Sequence, residues 1–328
     1  MENKKIKLPN ETGIAIVMLL VLLVGFIATP NFLTVSNILI LLLNGSVICF
    51  LCLGQTFVLL TGGIDLSTGS IVAMTCVLAA VFMEYLQLAW YIAVVLVLAI
   101  GAFTGFVNGF IISKTKVPPF IVTFAMQGVA ASIPQIITKA NSIRVTDTAY
   151  SFIGQGRIFS IPFPVIALII AAIISSYFLK RTVKGVHIYA VGGNADSSRL
   201  AGINISKTIM LVYAISGLCA ACGGLIYGSR LMVGYPTAGR GEELFFSIAG
   251  AVVGGVSLFG GIGTILGAMI GAVMIASISN LMNVMNVSAY WQPLVIGVII
   301  LIGVIIDTTK SFDKTIFKKI FKKIIVNY

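Results

Sequence analysis

The chain has 328 residues, of which 59% are hydrophobic and 9% charged, with a formal net charge of +11 and a mean hydropathy of +1.09. So few polar side chains cannot cover a soluble globule of this length, which excludes a water-soluble domain and points to a lipid bilayer. The basic excess does not indicate nucleic acid, because Lys and Arg are spread over the interruptions between apolar segments without interleaved stacking aromatics.

Apolar runs of about 17 to 25 residues recur, each long enough to cross about 30 Å of hydrocarbon as a helix. They fall at 13–28, 37–61, 70–86, 89–112, 118–138, 162–179, 208–229, 243–259, 262–284 and 290–307, which predicts an all-α membrane protein with ten crossings. The first run follows a Lys-rich start and ends at Ala28-Thr29-Pro30; with no A-x-A site it reads as a signal anchor. Gly254, Gly255, Gly260, Gly261 and Gly263 interrupt the stretch after residue 240, which reads either as two crossings or as a re-entrant pair.

Basic residues orient these runs. With the N-terminus inside, Lys4, Lys5, Lys7, Lys114, Lys116, Lys180, Arg181, Lys184, Arg199, Lys207, Lys310, Lys314, Lys318, Lys319, Lys322 and Lys323 fall on the cytoplasmic side. Lys139, Arg144, Arg157, Arg230 and Arg240 fall outside. This asymmetry predicts ten crossings with both termini cytoplasmic. At the C-terminal end, over 310–328, Phe317, Ile320, Phe321 and Ile324 share one helical face and Lys318, Lys319, Lys322 and Lys323 the other, the pattern of a helix on an anionic membrane surface or of a solubilising tail.

Internal repetition suggests two halves. Gly101, Gly105 and Gly109 in the fourth span and Gly263, Gly267 and Gly271 in the ninth share a spacing of four, which lets helix backbones approach closely. A glycine-led acidic step precedes each, Gly62 to Ser67 (GGIDLS) and Gly239 to Leu244 (GRGEEL), and Pro118 and Pro293 open the last helix of each set. Spans 2–5 and 7–10 therefore read as inverted repeats, a transporter plan.

Catalytic constellations do not emerge. His187 has no cysteine or carboxylate at ligand spacing, so no metal site is expected on it. Cys49-x-x-Cys52 and Cys219-x-x-Cys222 sit inside apolar spans, where a spacing of three puts small side chains on one packing face. No G-x-x-x-x-G-K-[ST] occurs in the chain, so nucleotide energy must arrive through another subunit.

One polar interruption is long: Lys180 to Lys207, KRTVKGVHIYAVGGNADSSRLAGINISK, on the predicted cytoplasmic side. Asn194 is a good N-cap, Asp196 suits the first turn, Arg199 the last, and Gly202 a left-handed close, which predicts a helix of about two turns. Its apolar Leu200, Ala201 and Ile203 leave two readings, a docking surface or a connector lying at the membrane.

Within this loop, Ala190 to Ile203 (AVGGNADSSRLAGI) resembles the A-x-G-x-N-x-x-A-A-R-x-A-G-I loop of bacterial ABC importer permeases of the ribose and monosaccharide family, with Ser197 and Ser198 in place of two alanines. Leu60 to Ser70 (LTGGIDLSTGS), Val107 to Met126 (VNGFIISKTKVPPFIVTFAM) and Gly239 to Ala272 are similar to further motifs of that family, and the likeness runs from about Phe32 to Ile306. The resemblance implies a type II-like ten-helix permease forming one transmembrane domain over 1–328, in a bacterial cytoplasmic membrane. It implies a second permease copy or a paralogue, a dimer of cytoplasmic ATPases carrying ATP-Mg, an extracytoplasmic sugar-binding protein, and no cofactor on this chain. The implied function is the translocation path of an ATP-driven importer for a ribose-like pentose or related monosaccharide.

On that reading the loop 180–207 couples to the ATPase through Asn194, Asp196, Ser197, Ser198, Arg199, Leu200 and Gly202. Arg199 pairs either with an ATPase carboxylate or with lipid phosphate. Asp65, beside Ser67, is expected to cap the third span and help hold a gate. The path is expected along spans 2, 3, 5 and 10, with Asn44, Gln55, Asn108 and Gln127 as its weakly polar lining or as interhelical hydrogen-bonding groups. The alternative is an ion-coupled secondary transporter of a small polar solute, which would bury more ionisable residues than Asp65 and Glu243.

Overall fold

The computed structural model describes residues 12–115, 117–239, 242–288 and 290–311. The Lys-rich start, Lys116, Arg240 and Gly241 of the second acidic step, and the basic tail after residue 311 lie outside the described residues.

In chain order the helices are α1 (Thr12–Ala28), α2 (Val35–Leu59), α3 (Thr68–Glu84), α4 (Trp90–Lys114), α5 (Pro119–Thr138), α6 (Phe152–Gln155), α7 (Phe163–Arg181), α8 (Val183–Gly193), α9 (Ala195–Leu200), α10 (Ile205–Leu231), α11 (Glu243–Val253), α12 (Ile265–Val284) and α13 (Trp291–Ser311). Strands among the described residues are two short antiparallel pairs, Ile143–Arg144 with Val233–Gly234 and Arg157–Ile158 with Ile161–Pro162. Six helices, α2, α4, α5, α7, α10 and α12, are long and apolar enough to cross a membrane, while α1, α3, α11 and α13 contribute shorter apolar stretches.

The core lies around α2 and α10. Residues 45–60 of α2 and its C-cap are buried throughout, and α10 packs against α2, α3 and α4. A second group, α11, α12 and α13, closes on the other side of α2. The outer faces are apolar: Ile169, Ile173 and Tyr177 of α7 and Phe103 and Phe110 of α4 are exposed, as suits side chains that meet lipid.

Small residues set the helix spacing. A methyl group at Gly101 or Gly105 would run into the backbone of α10 at Gly217 and Tyr213, and one at Gly109 into Met210. Gly217 in turn faces Gly101 and Gly105, so the two helices meet backbone to backbone. The second stripe departs from the predicted pattern. Gly267 and Gly271 of α12 lie against Gly254 and Gly250 at the end of α11, but Gly263 precedes the helix, in a turn against Val256. Thr264 is the N-cap, its hydroxyl accepting from Gly267 N at 3.0 Å, so helical geometry cannot begin before it.

Two further expectations change. The eighth span, predicted to 259, ends at Val253 after 11 residues, because Gly255, Gly260, Gly261 and Gly263 all take positive φ and turn the chain back toward α12. The loop 180–207 carries two helices, with α8 ahead of the predicted α9. Thr182 caps α8, its hydroxyl accepting from Gly185 N at 3.1 Å, and Ile188 and Val191, three apart, bury one face of it.

Replacing Gly105 by Leu is expected to force α4 from α10 and cost about 1–3 kcal/mol or more. Gly128→Ala, where an added methyl meets nothing within 4 Å, should stay within about 0.5 kcal/mol of the parent. Thermal unfolding of the two purified variants in detergent checks the contrast.

Candidate functional site

Three polar features stand out from this apolar bundle: the exposed helix α9, a buried knot around Asp65, and a cavity at the opposite end from α9.

Helix α9 forms as its residues dictate. Asn194 Oδ1 accepts from Ser197 N at 2.8 Å, Ser198 Oγ donates to Asn194 O at 2.8 Å, and Gly202 closes the turn at φ +82°. Asp196 and Arg199 lie 3.9 Å apart and are both largely exposed, so this ion pair adds little to stability and leaves both groups free for a partner. Leu200 is 91% exposed, an apolar side chain with nothing of its own chain to cover it. Ser198, by contrast, is buried beneath the helix, so of the two serines Ser197 alone is on the open surface.

Behind α9, α8 is wedged into the bundle. A methyl at Gly192 would run into Leu60 O, and that same carbonyl accepts from Gly261 N at 2.9 Å. Tyr189 Oη donates to Gly263 O at 2.9 Å. The turn after α2 and the turn after α11 thus meet at one carbonyl, with the end of α8 pressed against both.

Asp65 sits in the first of these turns and is fully buried. Its Oδ1 accepts from Ser67 N at 3.0 Å and Ser67 Oγ at 2.6 Å, and its Oδ2 accepts from Ser216 Oγ of α10 at 2.8 Å. Asn108 Nδ2 of α4 donates to Ser67 Oγ at 2.9 Å. Gln55 of α2, with its amide oriented by its partners, spans the backbone N and O of Asp65 at 3.2 Å each. Thr123 Oγ1 of α5 reaches Ile64 O at 3.2 Å. Asp65 therefore organises the turn that enters α3; the N-cap itself is Ser67, so the expected capping role is indirect. Thr68 Oγ1 and Asn108 Oδ1 are buried without a partner among the described residues.

The cavity, of about 380 Å³, opens between α2, the end of α10, the start of α11, α12 and the start of α13. Arg230 Nη1 donates to Asn44 Oδ1 at 2.6 Å, and the guanidinium stands 5.9 Å from the centre of the Tyr227 ring. Gln292 Nε2 donates to Asn283 Oδ1 at 2.8 Å, and Ser279 Oγ donates to Gln292 Oε1 at 2.7 Å. Asn37 and Asn280 exchange two amide hydrogen bonds, 2.8 and 3.1 Å, tying α2 to α12 beside the cavity. Burial, followed by the neighbouring Glu243 carboxylate, pushes the Glu242 carboxyl above its usual range. Glu243 Oε2 is buried without a hydrogen-bond partner among the described residues.

Of the residues predicted for the path, only Asn44 lines this cavity; Gln55, Asp65, Ser67 and Asn108 gather in the buried knot, and half-buried Gln127 of α5 joins neither. Spans 3 and 5 do not contribute to the cavity, whereas α10, α11 and α12 do. Sequence reasoning missed Arg230, Asn283 and Gln292 as lining groups. Asn280-x-x-Asn283 was a legible signal, two amides on one face of an otherwise apolar helix.

Residues 37–304 match the family model described as branched-chain amino acid transport system / permease component. The chain is 38% identical to the ribose import permease protein of Escherichia coli (strain K12), over 89% of this chain and 92% of that one. It is 39% identical to the ribose import permease protein of Bacillus subtilis (strain 168), over 89% and 91%, and 33% identical to the D-allose transport system permease protein of Escherichia coli (strain K12), over 89% of each. No solved structure matches the chain significantly.

Removing the Ser216 hydroxyl leaves Asp65 Oδ2 without its hydrogen bond, so Ser216→Ala is expected to destabilise the fold by about 1–3 kcal/mol. Ser132→Ala removes a hydroxyl that bonds only to Gly128 O of its own helix at an exposed position, and should change stability by less than about 0.5 kcal/mol. Equal unfolding temperatures for the two variants would contradict the structural role of the knot.

Proposed function

The chain belongs to this family of transport-system permease components, and from that premise we propose that it is the transmembrane subunit of an ATP-driven monosaccharide importer. It provides the path, and a separate ATPase drives it. The relatives named for a pentose and for a hexose support a monosaccharide as cargo and leave its identity to the sugar-binding protein. ATP and Mg²⁺ belong to the partner, since this chain carries no glycine-rich phosphate loop ending in Lys-Ser or Lys-Thr.

The observation that carries the coupling is the stack of α9, α8 and two turns. An exposed, capped helix bearing Arg199 and Leu200 faces outward, and α8 behind it presses on the carbonyl at which the turns after α2 and α11 meet. Displacement of α9 by a closing ATPase dimer would move both turns together, because interpenetrating backbone contacts transmit force without slack. Arg199 pairs with an ATPase carboxylate and Leu200 fills an apolar site beside it. Asn194, Asp196 and Gly202 keep the helix rigid, and Ser197 faces the partner.

Ten crossings with both termini in the cytoplasm fit the ten apolar helices. At 11 residues, or roughly 16 Å, α11 is too short to cross alone. The turn 254–264 completes its passage, with Gly254, Val256, Ser257 and Gly260 of it buried in protein. The end bearing α9 also carries Lys114, Lys180, Arg181, Lys184 and Lys207, as a cytoplasmic face should. Packing supports the inverted repeats. Exchanging α2 with α10, α3 with α11, α4 with α12 and α5 with α13 maps the contacts of α10 with α3 and α4, and of α3 with α4 and α5, onto other observed contacts. A second permease copy or paralogue completes the path in a bacterial cytoplasmic membrane.

Reconstitution of the permease with its ATPase and sugar-binding protein in proteoliposomes tests this reading. Monosaccharide uptake should require ATP. Arg199→Glu should lower ATP-driven uptake by about tenfold or more, the loss expected when a charge-assisted pair becomes a repulsive one. Uptake that persists without ATP but follows an ion gradient would instead establish a secondary transporter.

A further inference from the structure

The cavity at the outer end has a chemistry that the path function alone does not require. Its volume of about 380 Å³ lies within the range of about 300–1,000 Å³ typical of small-molecule sites. A mere channel wall does well with weak, mutually satisfied polar groups, and the Ser279–Gln292–Asn283 chain is one. Glu243 breaks that pattern: it lines the cavity, and one oxygen of its carboxylate, Oε2, is shielded from solvent and has no donor among the described residues. Opposite in charge, Arg230 spends one N–H on Asn44 and, among the described residues, has the rest of its five-donor fork in hand. A vicinal diol, which both donates and accepts at adjacent atoms, matches such a set.

We propose that this cavity is a cargo subsite of the permease itself, in which the Glu243 carboxylate, turned toward the cavity, accepts from a hydroxyl of a monosaccharide and Arg230, held by Asn44, donates to another oxygen of the same molecule. The inference rests on the monosaccharide-importer reading and adds to it a second point of selection after the binding protein. A neutral sugar is favoured over a zwitterion. An amino acid would engage both charged groups as ion pairs in a half-buried site and be held rather than passed on, whereas a polyol exchanges each hydrogen bond for one with water at small net gain. The Tyr227 ring is also engaged, by Arg230 and by a stacked Tyr235, so it is not free to tighten the grip on a sugar.

Thiol protection tests this. Ser279→Cys, nearly isosteric, puts a thiol in the cavity wall, while the native Cys49, Cys52, Cys76 and Cys219 are buried and Cys222 is half-buried. The variant permease, assembled with its ATPase in proteoliposomes, is labelled with 2-aminoethyl methanethiosulfonate with and without D-ribose, D-allose, D-xylose, L-arabinose or L-leucine at saturating concentration. At least one sugar should slow labelling of the S279C variant by about threefold or more, the protection given by ligand at twice its Kd, and L-leucine should not. In S279C combined with Glu243→Gln the protection should disappear. Protection by no sugar, protection by L-leucine in place of the sugars, or equal protection with Glu243→Gln would each overturn the proposal; if the double variant does not assemble, the single variant still decides. ATP-driven uptake by the unsubstituted transporter is measured alongside. Uptake without protection defeats the subsite and leaves the importer reading standing, and absence of ATP-driven uptake of every monosaccharide defeats the importer reading.

Discussion

Hydrocarbon supplies no hydrogen-bond partner, and the placement of every polar group in this molecule follows from that. Backbone groups are satisfied within helices, and the turns 60–67 and 254–264 meet where Gly261 N donates to Leu60 O. Because lipid is as apolar as Leu, helices gain nothing by burying greasy faces and associate through close packing. That is why the contacts between α4 and α10, and between α11 and α12, are built from Gly101, Gly105, Gly217, Gly250, Gly254, Gly267 and Gly271.

Within that frame the Asp65 knot adds hydrogen bonds to the close glycine contacts between the same helices. Its carboxylate ties the turn after α2 to α10, Ser67 carries the link to α4, Gln55 returns it to α2, and Thr123 adds α5. A buried carboxylate is costly unless fully bonded, so these partners behave as one unit. The same turn ends at the carbonyl against which α8 lies. On the proposed coupling, a push on α9 would reach an assembly of four spanning helices on one side and the α11–α12 turn on the other.

Much of this was legible in the chain. Among the described residues, the six helices long enough to cross and the four shorter apolar ones sit where hydropathy put them, within a few residues at most ends, because a run of apolar residues in lipid has one low-energy backbone conformation. Asn194, Asp196, Arg199 and Gly202 announced α9 because capping is local, decided by groups within four residues of one another. Local signals failed where partners were remote or competing. Thr264 took over as the cap and displaced Gly263 from the helix, and Thr182 began a helix inside an apparent loop. For Gln55 and Asn108 the sequence left path lining and interhelical hydrogen bonding both open, and their partners in the Asp65 turn are of the second kind.

The sequence by itself determined the membrane setting, the order of the apolar segments and the local geometry of α9. Each of these depends on composition or on neighbours along the chain. Only the tertiary structure decided which polar side chains face a cavity and which are sealed in the core. Asn44 and Arg230 are 186 positions apart and Asp65 and Ser216 are 151 apart, and no spacing rule brings them together. Their meeting follows from how closely glycine lets one backbone approach another, a property of the folded helix pair that no single segment carries.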